Sequence, residues 1–403
     1  MRAAMRPEYD FGSIVPLERV RSASICLLGC GAVGCNVVLS ALQMGWRHFT
    51  LVDFDRVSPH NCPRSGGIFN PRRDIGKKKI RLLADYIARW DPDCESTAID
   101  CDARDLGEWF FRGFDAVVCA LDNMESVWHV GELMADTGIP ILRGATNGWN
   151  SSVEIIENLP GGPCLCCGKD PSTARDLRVT SCGVRYMSDI KHGRTPALQV
   201  SSALCANRLV AEMTRRLCET PDKRPDIRYY DTGRELMTFD LHKDSKCACH
   251  EAAAYPIALI TLPGDVFTMT LGELFAALEE RIGAGATVYG ADDYVLSGIC
   301  RQCGESYPVG KPLRRVHESE MHCPKCSLTD RVPDTSATLS QFTSDSPLRG
   351  KTLYHLGFRI CGSMLSTDAN GAPSLCRLDT DLPALLSPSK ERGFPQLSSV
   401  SRR

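Results

Sequence analysis

A chain of 403 residues is too long for one small module, and a prior of one domain per ~150 residues predicts two or three domains. With 43% hydrophobic and 24% charged residues it can bury a large core, which excludes wholesale disorder and a fibrous fold. A formal net charge of −2 gives no global footprint for nucleic acid or an anionic membrane, and no apolar run approaches the ~20 residues of a membrane span.

In chain order, the N-terminal MRAAMRPEYDFG has no apolar stretch after its basic residues, so no export signal is read and a cytoplasmic protein is expected. SICLL at 24–28 reads as a strand, GCGAVG at 29–34 as a glycine turn, and NVVLSALQMG as a helix. HFTLVDFD at 48–55 supplies a second strand ending in acid, which completes the strand–helix–strand unit of a parallel sheet. KKKIRLLADYIARW at 77–90 has the apolar spacing of an amphipathic helix. STAID at 96–100, FDAVVCALDN at 114–123 and IPILRGA at 139–145 read as further strands.

From 150 the text changes. SSVEIIEN is strand-like, and about forty residues of turn formers, charges and cysteine come after it, a loop length usually tied to function. PALQVSSALCANRLVAEMTRRLC, roughly 196–218, reads as a long helix, and the first domain is expected to close near 252. Beyond it come a strand (IALITL), a helix (GELFAALEERI), a segment bracketed by two cysteine pairs, and a Ser-, Pro- and Arg-rich tail from about 377 that reads as disordered.

Gly29, Gly31 and Gly34 form a GxGxxG turn between strand and helix, where backbone N–H groups and a helix N-terminus meet phosphate; Asp53 closes the next strand, where an acid holds a ribose hydroxyl. Alone, the pattern fits a dinucleotide site or merely a tightly packed turn. The residues beyond Asp53 decide between ligands. Asn61, Arg64 and a lysine run come within thirty residues, and Asp122 and Asn123 end a later strand. Cations at phosphate and an acid for magnesium suit transfer at the α-phosphate of ATP better than hydride transfer with NAD.

Twenty-one cysteines in an unexported chain suit metal and nucleophilic roles better than disulfides. Cys164 and Cys167 make one Cys-x-x-Cys, and KCACH at 246–250 supplies a distant second pair: Cys247 with His250, or with Cys249 as the alternative fourth ligand. Cys166, the odd member of PCLCC, reads as a bystander. Cys300, Cys303, Cys323 and Cys326 form CxxC-x19-CxxC, a structural zinc ribbon or knuckle. Its intervening residues are both basic (KPLRR) and acidic (ESE), so no nucleic-acid role is expected.

LVDFDRVSPHNCPR resembles the DxDxVxxxNxxRQ pattern of the ubiquitin-activating superfamily, which includes the ThiF-type adenylyltransferases of thiamine and molybdopterin biosynthesis. Over about residues 20–252 the resemblance takes in GCGAVG, DIGKKK at 74–79, ALDN at 120–123, the Cys pair at 164–167, SCGV at 181–184 and the long helix. It implies a doubly wound, Rossmann-like α/β domain with a mostly parallel sheet, a long crossover loop at about 160–195 and a zinc site. A smaller α+β zinc-containing domain at 253–376 and a tail at 377–403 complete the chain.

By the same resemblance, Asp53, Asp55, Asn61, Arg64 and Lys79 would bind ATP, Asp122 its Mg2+, and Cys182 would be the thioester nucleophile, with Arg178, Arg185, Lys191 and His192 near it. The implied activity is adenylation of the C-terminal glycine carboxylate of a ubiquitin-like protein, thioester capture, and handover to a conjugating enzyme by a homodimer. Sulfur-carrier activation is the alternative within the same chemistry, and an NAD-dependent oxidoreductase the alternative outside it. Two features depart from the pattern: Ser65 stands where the glutamine is usual, and the N-terminal arginine that family members insert into a partner's site has only Arg6 as a candidate. The last domain faintly resembles a ubiquitin-type fold through IALITL, TMTLGELFAALEERI and PLRGKTLYHLGFRICGSML.

Overall fold

The computed structural model describes residues 9, 11, 13–169, 197–219, 224–250, 257–316, 323–326 and 331–380. Cys182, its basic neighbours, Arg6 and the tail beyond 380 lie outside the described residues. The described chain falls into two compact units, one within 9–104 and 111–250 and the other comprising 105–110 and 257–380.

The first unit is a three-layer α/β fold on an eight-stranded sheet. Strands β1 (Ser24–Leu28), β2 (His48–Val52), β3 (Glu95–Ile99), β4 (Ala116–Cys119) and β5 (Ile141–Asn147) run parallel, whereas β6 (Asn150–Ile156), β7 (Ile227–Asp231) and β8 (Leu236–Asp240) continue the sheet antiparallel. The order is β3-β2-β1-β4-β5-β6-β7-β8. The chain thus winds one way through β2 and β3 and then crosses to β4, which makes the crevice beyond the carboxyl ends of β1 and β4 the topological switch point where such sheets take their ligands.

Helices α1 (Leu17–Ser22), α2 (Ala32–Gln43), α3 (Lys79–Trp90), α4 (Met124–Met134) and α5 (Gln199–Cys218) flank the sheet. Central strands β1 and β4 are almost continuously apolar because both of their faces are covered. α5 lies so close to β5 that a Cβ at Gly144 would meet Leu209 Cδ1 at 2.7 Å. The indole of Trp46, 1% exposed, donates from Nε1 to Thr214 Oγ1 at 3.3 Å on the same helix.

Strand β9 (Ala258–Pro263), helix α6 (Leu271–Ile282), and strands β10 (Thr287–Cys300), β11 (Ser306–Pro312), β12 (Arg331–Pro333), β13 (Thr338–Thr343), β14 (Ser363–Thr367) and β15 (Pro373–Asp379) build the second unit. The sheet runs β11-β10-β14-β15-β9, with β12 and β13 also on β10; its first and last strands, β9 and β15, pair in parallel. α6 starts with a capping box, Thr270 and Glu273 exchanging side-chain and backbone hydrogen bonds, and stops at Gly283, whose φ of 84° suits glycine.

Residues 105–110 also belong to this unit. Gly107 and Trp109 donate their N–H groups to Ile360 and Cys361, and Asp105 sits among the guanidinium groups of Arg314 and Arg315 at 2.8–2.9 Å. Gly107 is required there: a Cβ would lie 2.2 Å from the Gly362 Cα.

Candidate functional site

The carboxyl ends of β1, β2 and β4 carry the predicted site residues. After β1 the chain turns at Gly29 in a left-handed conformation, φ 92°, and a Cβ there would stand 2.6 Å from the Ala120 carbonyl oxygen. At Gly34 a Cβ would fall 2.0 Å from the Gly29 oxygen. Those two glycines are therefore explained by packing alone. Gly31 is different, because its φ is an ordinary −83° and no neighbouring atom lies within 4 Å of a Cβ placed there. It stands at the N-cap of α2, with open space where a side chain would stand.

Asp53, the first residue past β2, accepts from the Cys30 N–H at 2.7 Å through one oxygen and from the Asp55 N–H at 2.7 Å through the other. One carboxylate thus fixes both the glycine turn and its own loop. Burial pushes its pKa up, against the pull of Lys79.

The three lysines of the run separate cleanly. Lys77 pairs with Asp74 at 3.1 Å, and Lys78 with Asp100 at 2.8 Å and the Phe54 carbonyl at 2.6 Å. Lys79 alone reaches Asp55, at 2.7 Å, with only 8% of its side chain exposed. Burial works against its charge, but Asp53, Asp55 and, beyond them, Asp122 outweigh it and hold its pKa above the ordinary lysine value.

Asn61 and Arg64 occupy the two-turn 3-10 helix Pro59–Arg64. The Asn61 side-chain oxygen accepts from Ser58 N–H at 2.9 Å and Ser58 Oγ at 2.7 Å; a backbone N–H can only donate, which fixes the amide's orientation and leaves Nδ2 as its donor. Arg64 ends the turn, and its carbonyl accepts from Asn36 Nδ2 at 3.3 Å. Behind it Gln199 of α5 donates to Asn36 Oδ1 at 2.7 Å and accepts from the Gly66 N–H at 3.1 Å, tying three elements together. Sequence reasoning missed Gln199, and only the fold brings it to this turn.

Asp122 is exposed just past β4, a hard oxygen donor suited to magnesium. Asn123 is differently employed: its Oδ1 accepts from Ser126 N–H at 2.8 Å as the N-cap of α4, a helix the sequence pattern does not announce.

A second cluster is likewise invisible to sequence reasoning. Glu154 on β6, its side chain 2% exposed, meets Arg143 of β5 at 2.9 Å, Lys169 at 3.1 Å, and Arg228 of β7. Burial opposes its charge, yet the three cations hold its pKa down at about 2.

The first cysteine–histidine cluster brings Cys164, Cys167, Cys247 and His250 together. Cys164 Sγ lies 3.8 Å from Cys167 Sγ and 3.7 Å from Cys247 Sγ, and Cys167 Sγ lies 3.1 Å from His250 Nε2. A tetrahedral zinc with Zn–S of ~2.3 Å spaces its sulfurs ~3.8 Å apart, so the donors fit that ion. Of the two candidates for the fourth ligand, His250 groups with Cys164, Cys167 and Cys247, whereas Cys249 groups with Cys164 and Cys166. Asp244 N–H donates to Cys167 Sγ at 3.4 Å, an outer partner of the kind a thiolate site uses, and Asp136 lies 3.9 Å from His250 Nδ1, beyond hydrogen-bond reach.

In the second unit Cys300 and Cys303 leave the end of β10, and each has a partner sulfur at 3.7 Å, Cys326 and Cys323 respectively, again the spacing of a tetrahedral four-thiolate site.

With this geometry, a family model settles the lineage: the ThiF family matches residues 8–250. The chain belongs to the ThiF family. Among curated proteins, it is similar to the NEDD8-activating enzyme E1 catalytic subunit of Caenorhabditis elegans, 28% identical over 152 residues, which is 34% of this chain and 35% of the relative. It is also similar to SUMO-activating enzyme subunit 2 of Dictyostelium discoideum, 24% identical over 141 residues, 34% of this chain and 21% of the relative. The match thus spans about a third or less of those relatives' length. Of the solved structures, E. coli MccB with ATP is 14% identical with a TM-score of 0.47, covering 58% of this chain and 67% of that one. The family match, together with the two activating-enzyme relatives, places this ThiF chain in the ubiquitin-activating superfamily. Among its described residues no helix is long and apolar enough to cross a membrane.

Proposed function

We propose that this ThiF-family chain adenylates the C-terminal glycine carboxylate of a ubiquitin-like protein. The observation that carries the proposal is Lys79: a buried ammonium paired with Asp55 at 2.7 Å, in the field of Asp53 and Asp122, at the switch point of the sheet. A hydride-transfer site has no use for a buried lysine among three carboxylates there. A triphosphate does, because charge develops on the leaving pyrophosphate and a pre-placed cation stabilises it.

In this scheme a carboxylate oxygen of the substrate attacks the α-phosphorus of ATP, the bond to the bridging oxygen breaks, and pyrophosphate leaves. Gly31 gives phosphate close approach to the α2 amides, Asp53 holds the ribose, and Asn61 Nδ2, Arg64 and Lys79 hold phosphate oxygens. Asp122 supplies the ligand for Mg2+. The Cys182 thiolate then attacks the acyl carbon and AMP departs, leaving a thioester for a conjugating enzyme. A homodimer, and recruitment of that enzyme by a ubiquitin-type second unit, belong to the same proposal.

The test is ATP–pyrophosphate exchange with small proteins ending in glycine. Exchange that requires such a protein, is lost in Lys79→Ala, and is retained in Cys182→Ala with loss of the thioester supports the scheme. No exchange with any such protein, together with NAD-dependent hydride transfer, overturns it; a thiocarboxylate product in place of a thioester redirects it to sulfur-carrier activation.

A further inference from the structure

Several buried thiols are core residues: Cys26, Cys35, Cys119 and Cys205 are each packed in the interior of the first unit. Cys166 and Cys249 are not of this kind. Neither belongs to the four-donor set, yet both sulfurs crowd onto one of its members. The Sγ atoms of Cys164, Cys166 and Cys249 all lie within 4.8 Å of one another.

The local backbone explains how two donor sets share one residue. Residues 164–167 form a tight turn, with Cys167 N–H donating to the Cys164 carbonyl at 3.1 Å, so the adjacent Cys166 and Cys167 side chains diverge. Cys167 goes to His250, whereas the Cys166 sulfur approaches α4, 3.4 Å from the Trp128 carbonyl. The helix makes room for it: a Cβ at Gly131 would stand 2.7 Å from Cys166 Sγ. Opposite, the turn Ala248–His250 separates Cys249 from His250 in the same way, and Cys249 is partly exposed where Cys164 and Cys166 are each only 1% exposed.

We propose that Cys164, Cys166 and Cys249 bind a second thiophilic divalent ion, zinc or a congener, with the Cys164 sulfur bridging it to the ion held by Cys164, Cys167, Cys247 and His250. A thiolate sulfur has lone pairs enough for two metals, and three sulfurs within 4.8 Å of one another need only a small inward shift to close on a d10 ion. The charge balance is favourable. One zinc on three thiolates and a histidine carries −1; a second zinc displaces the protons of Cys166 and Cys249, adds +2 and −2, and leaves −1. The partly open side at Cys249 admits water as the fourth donor. This is a metal site distinct from the nucleotide crevice, and its existence does not depend on the adenylation scheme.

Native mass spectrometry of the full chain at saturating zinc tests it. Three ions per chain are expected, two in this cluster and one at Cys300, Cys303, Cys323 and Cys326. Cys249→Ser, a change at a partly exposed site, should leave two, and Cys166→Ser/Cys249→Ser likewise. In protein loaded with an NMR-active cadmium isotope, two of three resonances should show metal–metal coupling through the shared sulfur, and Cys249→Ser should abolish it. Two ions in the unmodified protein, three ions retained by the double variant, uncoupled cadmium resonances, or a chain two mass units light from a Cys166–Cys249 disulfide would each overturn the proposal. Pyrophosphate exchange is measured separately, so its failure would leave the metal count standing.

Discussion

Glu154→Gln removes the negative charge at the centre of three cations while keeping the shape of the side chain. In the folded chain the carboxyl pKa is depressed from 4.5 to about 2, which at ~1.36 kcal/mol per unit corresponds to about 3 kcal/mol. An independent figure agrees: breaking a buried ion pair by deleting one partner costs about 3–5 kcal/mol, because the remaining charges lose their counter-ion. Against a typical ~5–15 kcal/mol of total stability this is a large loss. The pKa is lower folded than unfolded, so the contribution is complete above pH ~4.5 and disappears as pH falls through about 2. Urea denaturation of wild type and variant at pH 7 should therefore differ by about 3 kcal/mol, and the difference should shrink steadily between pH 4.5 and 2, where protonated Glu154 approximates glutamine. A difference below ~1 kcal/mol at pH 7, or one that does not change with pH, would refute the view that the cluster is held by the ionised carboxylate.

Gly31→Ala should leave the unfolding midpoint within ~0.5 kcal/mol of wild type yet weaken ATP binding at least tenfold, since the added methyl meets no protein atom; Gly34→Ala should instead yield little folded protein. Asp122→Ala should abolish pyrophosphate exchange with an unchanged circular dichroism spectrum, because its carboxylate is exposed and caps nothing in the fold. Lys77→Ala should keep most exchange activity where Lys79→Ala loses it, the first lysine being paired with Asp74 and the second with Asp55. Cys323→Ser should release one zinc and spare exchange, which metal analysis beside the exchange assay would check.

The parallel half of the first unit is legible in the sequence because each of its signals is local. SICLL emerges as β1 over those residues, and of HFTLVDFD the first five residues, the apolar run before the acids, form β2. Acid Asp53 falls just past β2 rather than within it, since a carboxylate serving two backbone N–H groups needs a loop. α3 begins at Lys79, not Lys77, because Lys77 and Lys78 turn away to Asp74 and Asp100. α4 is harder to read: MESVWHVGELM has Gly131 in its interior, a residue that lowers helix propensity by ~1 kcal/mol, and its purpose, space for Cys166 Sγ, is visible only in three dimensions.

The same distinction governs the site. Ligand spacings such as Cys-x-x-Cys are local and can be read directly, whereas the separate groupings of His250 and Cys249 around Cys164 exist only in the folded chain. Long-range partners leave no trace in the text. Glu154 reads as a polar break in a strand, and its meaning depends on the register that sets Arg143 and Arg228 opposite it on the two neighbouring strands. Residues 105–110 are the extreme case. DLGEWF has no periodicity to mark it, but Asp105 finds Arg314 and Arg315 some two hundred residues away, and Trp109 lies under the Arg377 guanidinium at 4.5 Å. A buried carboxylate between two guanidinium groups is costly to unpair, so this stretch is held in the second unit by charge that only the folded chain assembles.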